Sequence, residues 1–253
     1  MPQIGVVNFL NAWPLWASLE GRADIGLLPD VPSALAAKLR SGEVDAALIS
    51  SVEFFRLPAG YAYHPGLCIG AENEVYSIRL FVPQPGDDFT STLTKTRVIY
   101  TDIASRSSVA QLQVMLRQLK ADIPLREIND APARIPQLRP GEALLSIGDT
   151  ALRFLEKPSF DLQREYFSMF GRGFVYALWV YRKGLQDELE PLLSEAYGIY
   201  VQNNAAFRKA AVTRFGFSPE FTDDYLTRVI RHELTPERRA NLEFFARLAG
   251  FLT

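Results

Sequence analysis

A chain of 253 residues, 48% hydrophobic and 22% charged, has the length and apolar content for one large or two small cored domains. Its formal charge of −2, with no basic run, gives no electrostatic footprint for nucleic acid or for an anionic membrane surface. No stretch of about 18 apolar residues offers a spanning helix, and Cys68, the single cysteine, excludes an intrachain disulfide.

The chain opens on a short apolar strand, Gln3-Ile4-Gly5-Val6-Val7, and runs on through Phe9-Leu10-Asn11-Ala12-Trp13-Pro14-Leu15. A strand that ends in an amide and hands over to a proline-started helix puts Asn11 at a strand's carboxyl edge, where open α/β sheets bind their ligands. Asn8, Asn11 and Pro14 break this apolar stretch and no cationic region precedes it, so a cytoplasmic location is expected rather than a secretory signal. Ile25 to Leu28 is the next strand, and Asp30 with Pro32 then starts a helix through Leu39 that stops near Ser41-Gly42. Val44 to Ile49 is an almost unbroken apolar run ending in Ser50-Ser51, the pattern of a strand buried on both faces. A short helix follows from Val52 to Phe55, with Glu53 suited to its first turn. Tyr61 to Ile69 and Tyr76 to Val82 are further strands.

A proline- and threonine-rich interval, Pro83 to Thr94, interrupts the alternation. A new unit then begins with the strand Arg97 to Tyr100 and a helix from Val109 to Leu119, opened by Ser105-Arg106-Ser107-Ser108. Leu125 to Ile128 and Ala143 to Ile147 are strands, the second passing into Gly148-Asp149 and the helix Thr150 to Leu155. Phe174 to Tyr181 is a long strand. The last third is helical: Leu185 to Tyr200, Ala205 to Phe215, Phe221 to Arg231, and a helix started by Thr235-Pro236 with Leu242, Phe245 and Leu248 inward. Strands alternating with helices argue for an α/β fold. The interval 83–94 and the long strand 174–181 predict two crossings between lobes. On that reading residues 1–82 and 182–253 form a discontinuous first lobe around an inserted second lobe, 83–181.

The polar clusters are Asn11, Ser50-Ser51, Ser77, Ser105-Arg106-Ser107-Ser108 and Gly148-Asp149, and most sit where a strand gives way to a helix. Helix N-termini present unpaired N–H groups and a partial positive charge, which suit a carboxylate or phosphate. Serine hydroxyls add donors that do not titrate. Each cluster alone is explained by helix capping; their recurrence at several strand ends describes a cleft for a small anion. No nucleophilic triad is present, since the only histidines are His64, before Pro65, and His232, in Arg231-His232-Glu233. Both read as surface or structural residues. No Cys/His spacing suggests zinc and no glycine-rich phosphate loop suggests a nucleotide, so neither metal nor cofactor is expected. Arg106 could pair with a substrate carboxylate bidentately, although a structural salt bridge is the simpler role for it and for Arg79.

These segments, in this order, resemble one known family. Phe9-Leu10-Asn11 with Pro14-Leu15, Gly42 to Asp45 through Ser50-Val52-Glu53, Val75-Tyr76-Ser77, Ser105 to Val109, Ile147-Gly148-Asp149 with Ala151-Leu152, and Phe174 to Trp179 are similar to the MqnA family. Its members are the chorismate dehydratases of the futalosine route to menaquinone. The similarity spans residues 1 to about 182 and extends to the tail only in general character. It implies a periplasmic-binding-protein-like fold of type II: two α/β lobes joined by two hinge strands, with the ligand between them. It also implies loss of water from chorismate, a small dicarboxylate, to give 3-[(1-carboxyvinyl)oxy]benzoate. The family's asparagine falls on Asn11 and its pocket serine on Ser77, which the resemblance makes the catalytic pair. The serine pair that receives a carboxylate at a helix N-terminus falls on Ser107 and Ser108. Ser50, Ser51, Ser105, Arg106, Gly148 and Asp149 complete the expected substrate-binding set. Gly173 and Tyr166 stand where the family often has Pro and Trp. A sister enzyme making 1,4-dihydroxy-6-naphthoate shares the fold but carries a catalytic histidine, where this chain has Ile147-Gly148-Asp149-Thr150.

Overall fold

Short apolar strands parted by helices give this chain two sheets, and it passes between them twice. The computed structural model describes residues 1–103 and 105–252. In chain order the first elements are β1 (Gln3–Val6), β2 (Gly26–Pro29), α1 (Pro32–Ser41), β3 (Ala46–Ser50), α2 (Ser51–Arg56) and β4 (Tyr61–Ala71). Next come β5 (Ile78–Phe81), α3 (Phe89–Lys95), β6 (Val98–Asp102), α4 (Arg106–Gln118), β7 (Leu125–Ile128) and α5 (Ala131–Arg134). They are followed by β8 (Glu142–Ile147), α6 (Gly148–Arg153), β9 (Ser159–Asp161) and α7 (Leu162–Phe170). The last are β10 (Phe174–Arg182), α8 (Gln186–Gln202), α9 (Asn204–Phe215), α10 (Pro219–Asp224), β11 (Ile230–Glu233) and α11 (Pro236–Leu248).

The first sheet has the order β11-β4-β10-β3-β1-β2 and the second β7-β6-β8-β5-β9. In the first, β1 runs parallel to β2 and β3, while β10 lies antiparallel between β3 and β4. In the second, β6 is parallel to β7 and β8, and β5 lies antiparallel between β8 and β9. β10 is the spine of the first sheet. Leu178, Trp179 and Val180 are fully buried there, and each such side chain contributes about 1.5–3 kcal/mol by leaving water. Because β1, β3, β6 and β8 all end toward the gap between the sheets, the segments that follow them converge on it.

The lobe boundaries expected from the sequence need correcting. Ile78–Phe81 belongs to the second sheet and Phe174–Arg182 to the first, so the chain crosses at 72–77 and again at 171–173. The interval Pro83 to Thr94 is no crossing. It holds the start of α3, where Asp88 accepts from the Ser91 N–H (2.7 Å) and the Ser91 hydroxyl accepts from the Asp88 N–H (3.0 Å). That reciprocal capping box satisfies two otherwise orphaned donors. At the second crossing a Cβ on residue 173 would lie 2.9 Å from the Ala71 carbonyl and 2.5 Å from Glu72 Oε2. The two connecting segments therefore approach too closely for a side chain at Gly173 without a shift of the Ala71 backbone. Tyr166 takes up the other departure as a fully buried ring packed edge-on against Phe174.

Two local readings also change. The segment after β1 makes two short 3-10 turns, Trp13–Leu15 and Ala17–Leu19, instead of a longer helix. The helix expected over Phe221 to Arg231 stops at Asp224, passes through one π-helical turn at Tyr225–Val229 and becomes β11. The open edge of β4 accepts Ile230–Glu233 as an antiparallel partner, and Ile230 and His232 alternate inward as a strand requires. Tertiary pairing overrides local helical pattern here.

Candidate functional site

Asn11 sits in a tight loop in which the Ala12 and Trp13 N–H groups both donate to the Phe9 carbonyl (3.0 and 3.1 Å). That loop is held from both sides of the molecule. The Leu10 N–H donates to Asp149 Oδ1 at the start of α6 (3.0 Å), and His232 Nε2 on β11 donates to the Asn11 carbonyl (2.7 Å). His232 is buried, and burial pushes its pKa down to about 4; the imidazole is therefore neutral, with its one proton on the nitrogen facing the carbonyl. Burial acts the opposite way on Asp149, raising its pKa to about 6 against the pull of the Leu10 N–H. Neither histidine is a surface residue: His64 is buried too, its Nε2 beside the Glu190 carbonyl and the Ser194 hydroxyl. Both serve structure.

Ser77 follows the first crossing and is presented by a strained turn. The Ser77 N–H bonds back to the Val75 carbonyl (2.6 Å), and Tyr76 between them has φ +56. A positive φ on a bulky residue costs on the order of 1–3 kcal/mol and persists only where surroundings enforce it. The buried Asp161 carboxylate supplies that enforcement by accepting from the Val75 and Tyr76 N–H groups (3.2 and 2.7 Å). The same carboxylate caps α7 through the Gln163 and Arg164 N–H groups and lies 3.6 Å from Arg79. Arg79 thus braces the turn from behind, also bonding Ser159.

The remaining hydroxyls divide into two sets. Ser107 donates to the Tyr176 carbonyl (2.8 Å) and lies 2.8 Å from Ser50 Oγ and 3.1 Å from Ser51 Oγ, while Ser51 donates to the Val175 carbonyl (2.7 Å). A hydroxyl has one proton, so Ser107 and Ser51 have spent theirs on the backbone of β10. Ser105 differs: it is fully buried at the N-terminus of α4, caps nothing with its side chain, and has no hydrogen-bond partner among the described residues. Ser108 lies one turn on, also at the cleft wall.

A cleft of about 560 Å³, its open mouth included, lies between the sheets. Asn11, Ser50, Ser77, Ser105, Arg106, Ser107, Ser108 and Gly148 line it, and apolar surface comes from residues such as Leu48, Ile69, Ile78 and Tyr176. Two expected site residues do not reach it. Ser51 is fully buried behind Ser107, and Asp149 is turned to the Leu10 backbone, so both organise the wall instead of forming it. No carboxylate lines the cleft among the described residues, and its one charged side chain, Arg106, pairs with Glu127 on β7 (2.8 Å). The chemistry is that of a largely apolar, neutral-to-positive pocket with the N-terminus of α4 at its wall. It suits an anion with an apolar body. Among the described residues no cluster of His, Cys, Asp or Glu could hold a metal, and no helix is long and apolar enough to cross a membrane.

Reading the sequence missed Tyr225. Its hydroxyl is buried beside the Ser77 hydroxyl and the Asn11 amide, without a hydrogen bond of good geometry to either. No local signal marks it, because it lies in a tail that reads as plain helix.

Comparisons with known proteins agree with this geometry. A family model described as menaquinone biosynthesis matches residues 2–250. A chorismate dehydratase of Thermus thermophilus is 26% identical over 274 aligned positions, which cover 98% of this chain and 94% of that protein. Among solved structures, a protein of Archaeoglobus fulgidus superposes with a TM-score of 0.78 at 11% identity, covering 98% of this chain and 96% of that one. The periplasmic aliphatic sulphonate binding protein of Escherichia coli gives 0.68 at 16%, covering 98% and 85%. At such identities the structural likeness speaks for the fold alone: two α/β lobes in the arrangement of type II periplasmic binding proteins, with a cleft between the sheets.

Proposed function

The chain belongs to the menaquinone-biosynthesis family, and from that premise we propose that it is a chorismate dehydratase, forming 3-[(1-carboxyvinyl)oxy]benzoate and water. The observation that carries this reading is a cleft in which neutral donors from both lobes, Asn11 and Ser77 foremost, gather with no carboxylate or imidazole beside them among the described residues. Such a site has no strong base to offer, and this reaction needs none from the protein. The C–H bond at the ether-bearing ring carbon breaks, its electron pair becomes the last ring double bond, and the neighbouring hydroxyl leaves. Aromatisation drives the elimination. The substrate's own side-chain carboxylate takes the ring proton and passes it to the departing hydroxide, which leaves as water, so the carboxylate ends ionised as it began.

The protein's part is positioning and charge stabilisation by preorganised donors. Asn11 and Ser77 hold the leaving hydroxyl and the side-chain carboxylate. The N-terminus of α4, with Ser105 and Ser108, receives the other carboxylate, and the apolar wall receives the ring. Gly148-Asp149 in place of a histidine argues against the sister naphthoate-forming enzyme.

The sulphonate-binding likeness gives weight to a second reading, a non-catalytic binder of small anions. Incubation of the purified protein with chorismate separates the two. The dehydratase reading expects an aromatic product, one water lighter, to accumulate with protein-dependent rate by ultraviolet absorbance and mass spectrometry. Saturable binding with chorismate recovered unchanged would leave only the binder.

A further inference from the structure

Two features of the C-terminal segment are left unexplained by the scheme above, the π-helical turn at Tyr225–Val229 and the buried Tyr225 hydroxyl, and both pack against the strained Tyr76 turn of the first crossing. They belong together. The Tyr225 ring is fixed by stacking on Phe221 (centroids 5.7 Å, 12° between planes) and on Tyr76 (6.4 Å, 14°). Arg228, on the same π turn, bonds the Tyr76 hydroxyl and Glu74, so the turn is tied to the first crossing by charge as well as by rings. Three residues beyond the π turn, His232 holds the Asn11 carbonyl. One short segment therefore touches the supports of both Asn11 and Ser77, which come from different lobes.

π-helical turns insert one extra residue into a helix and are frequent at functional sites. Here the result is to turn a phenol inward to where the two polar groups meet. Its hydroxyl is an unspent donor: burial keeps it protonated far above neutral pH, and it makes no hydrogen bond of good geometry among the described residues. A phenylalanine would fill the same space without burying an unmatched O–H. Catalytic hydrogen bonds are often long in an empty site and tighten when substrate arrives. Ser77 directs its own proton toward the Val75 carbonyl at 3.3 Å, a weak bond that substrate can replace.

We propose that Tyr225 is a positioning residue, whose hydroxyl donates to Ser77 Oγ or to the Asn11 amide oxygen in the occupied cleft and so leaves the Ser77 O–H and Asn11 N–H groups to the substrate. Tyr225 does not line the cleft and acts through these two. The inference rests on the dehydratase reading and deepens it.

The test is Tyr225→Phe, which keeps the ring and its stacking. Expected is a kcat about 10- to 100-fold lower, the size of a small misplacement of reacting groups, with KM changed by less than about threefold and a thermal midpoint unchanged or higher. Unchanged kcat overturns the proposal, as does a change in KM alone. In a Ser77→Ala background, followed by single-turnover measurement, the same substitution should lose most of its effect; an undiminished effect there means Tyr225 does not act through Ser77 and also overturns the assignment, unless the coupling reappears in an Asn11→Ala background. Tyr225→His supplies a second variant with a donor of different reach, expected to recover part of the lost kcat. Wild-type protein that leaves chorismate intact defeats the underlying reading and the proposal with it, whereas wild-type turnover matched by Tyr225→Phe defeats the proposal alone.

Discussion

Two sets of buried hydroxyls stand a few residues apart in this fold and do opposite things. Ser50, Ser51 and Ser107 close on one another and on the carbonyls of Val175 and Tyr176, so the N-terminal turn of α4 is welded to β3 and β10 across the lobe boundary. Ser105 and Tyr225 are as deeply buried and bonded to nothing among the described residues. A buried polar group that finds its partners within the chain specifies architecture, and one left without partners is available for something that arrives later. At the entry to α4 that contrast separates Ser107, whose proton is committed to β10, from Ser105, which lines the cleft with no partner among the described residues.

The contrast breaks most visibly at Asn11 and Ser77. If they act on a reacting group, Asn11→Ala and Ser77→Ala should each lower kcat about 10²- to 10³-fold, the loss typical of removing one preorganised donor. Circular-dichroism melting should move by no more than about 2–4 °C, the equivalent of about 1 kcal/mol in a chain of this size. A kcat within about twofold of wild type in either variant would remove that residue from the chemistry.

A smaller and sharper test compares Ser107 with Ser105. Ser107→Ala strands the Tyr176 carbonyl and deprives Ser50 of its acceptor. It should destabilise by about 1–3 kcal/mol, read as a lower melting temperature and urea midpoint. Ser105→Ala strands nothing, so stability should hold or rise slightly, while affinity for a carboxylate ligand falls about 10-fold, as for loss of one charge-assisted hydrogen bond. Calorimetric titration with chorismate and thermal melts on both variants decide the matter. Equal effects on both readouts would erase the distinction between the two sets.

What the sequence made legible follows the same division. The placement of Asn11, Ser50, Ser105 and Gly148 at strand ends could be read because each is announced by a local apolar run followed by a helix signal, and in an α/β sheet those ends converge; Ser77, which precedes a strand, carries no such signal. The orphaned hydroxyl of Ser105 could not be told from the spent one of Ser107, since the difference is made by β10, about 70 residues away. Lobe boundaries failed for a related reason. The crossing at 72–77 carries no glycine or proline to mark it; its left-handed residue is Tyr76, held there by Asp161 from across the lobe. Likewise Tyr225 and His232 gain their positions from the pairing of β11 with β4 and not from any pattern of their own.

The last comparison is between the two supports of the Asn11 loop, which respond to acid in opposite senses. His232, with its folded pKa depressed to about 4, contributes stability that is complete above about 6.5 and is lost as pH falls toward 4. Asp149, with its folded pKa raised to about 6, binds its proton more readily in the folded chain than in the unfolded one. Its linkage therefore favours the fold below about 4, and that advantage disappears as pH rises through 6. Asp149→Asn keeps an oxygen for the Leu10 N–H and removes the charge. Stability of this variant relative to wild type should accordingly grow between pH 4 and 6 and level off above. Urea midpoints at pH 4, 5, 6 and 7.5 measure it, and a difference that stays flat across that range would mean the Asp149 carboxyl titrates like an exposed one. Because only the Asp149 side of the loop belongs to the second lobe, the same series also shows whether the loop's hold on that lobe carries charge at neutral pH.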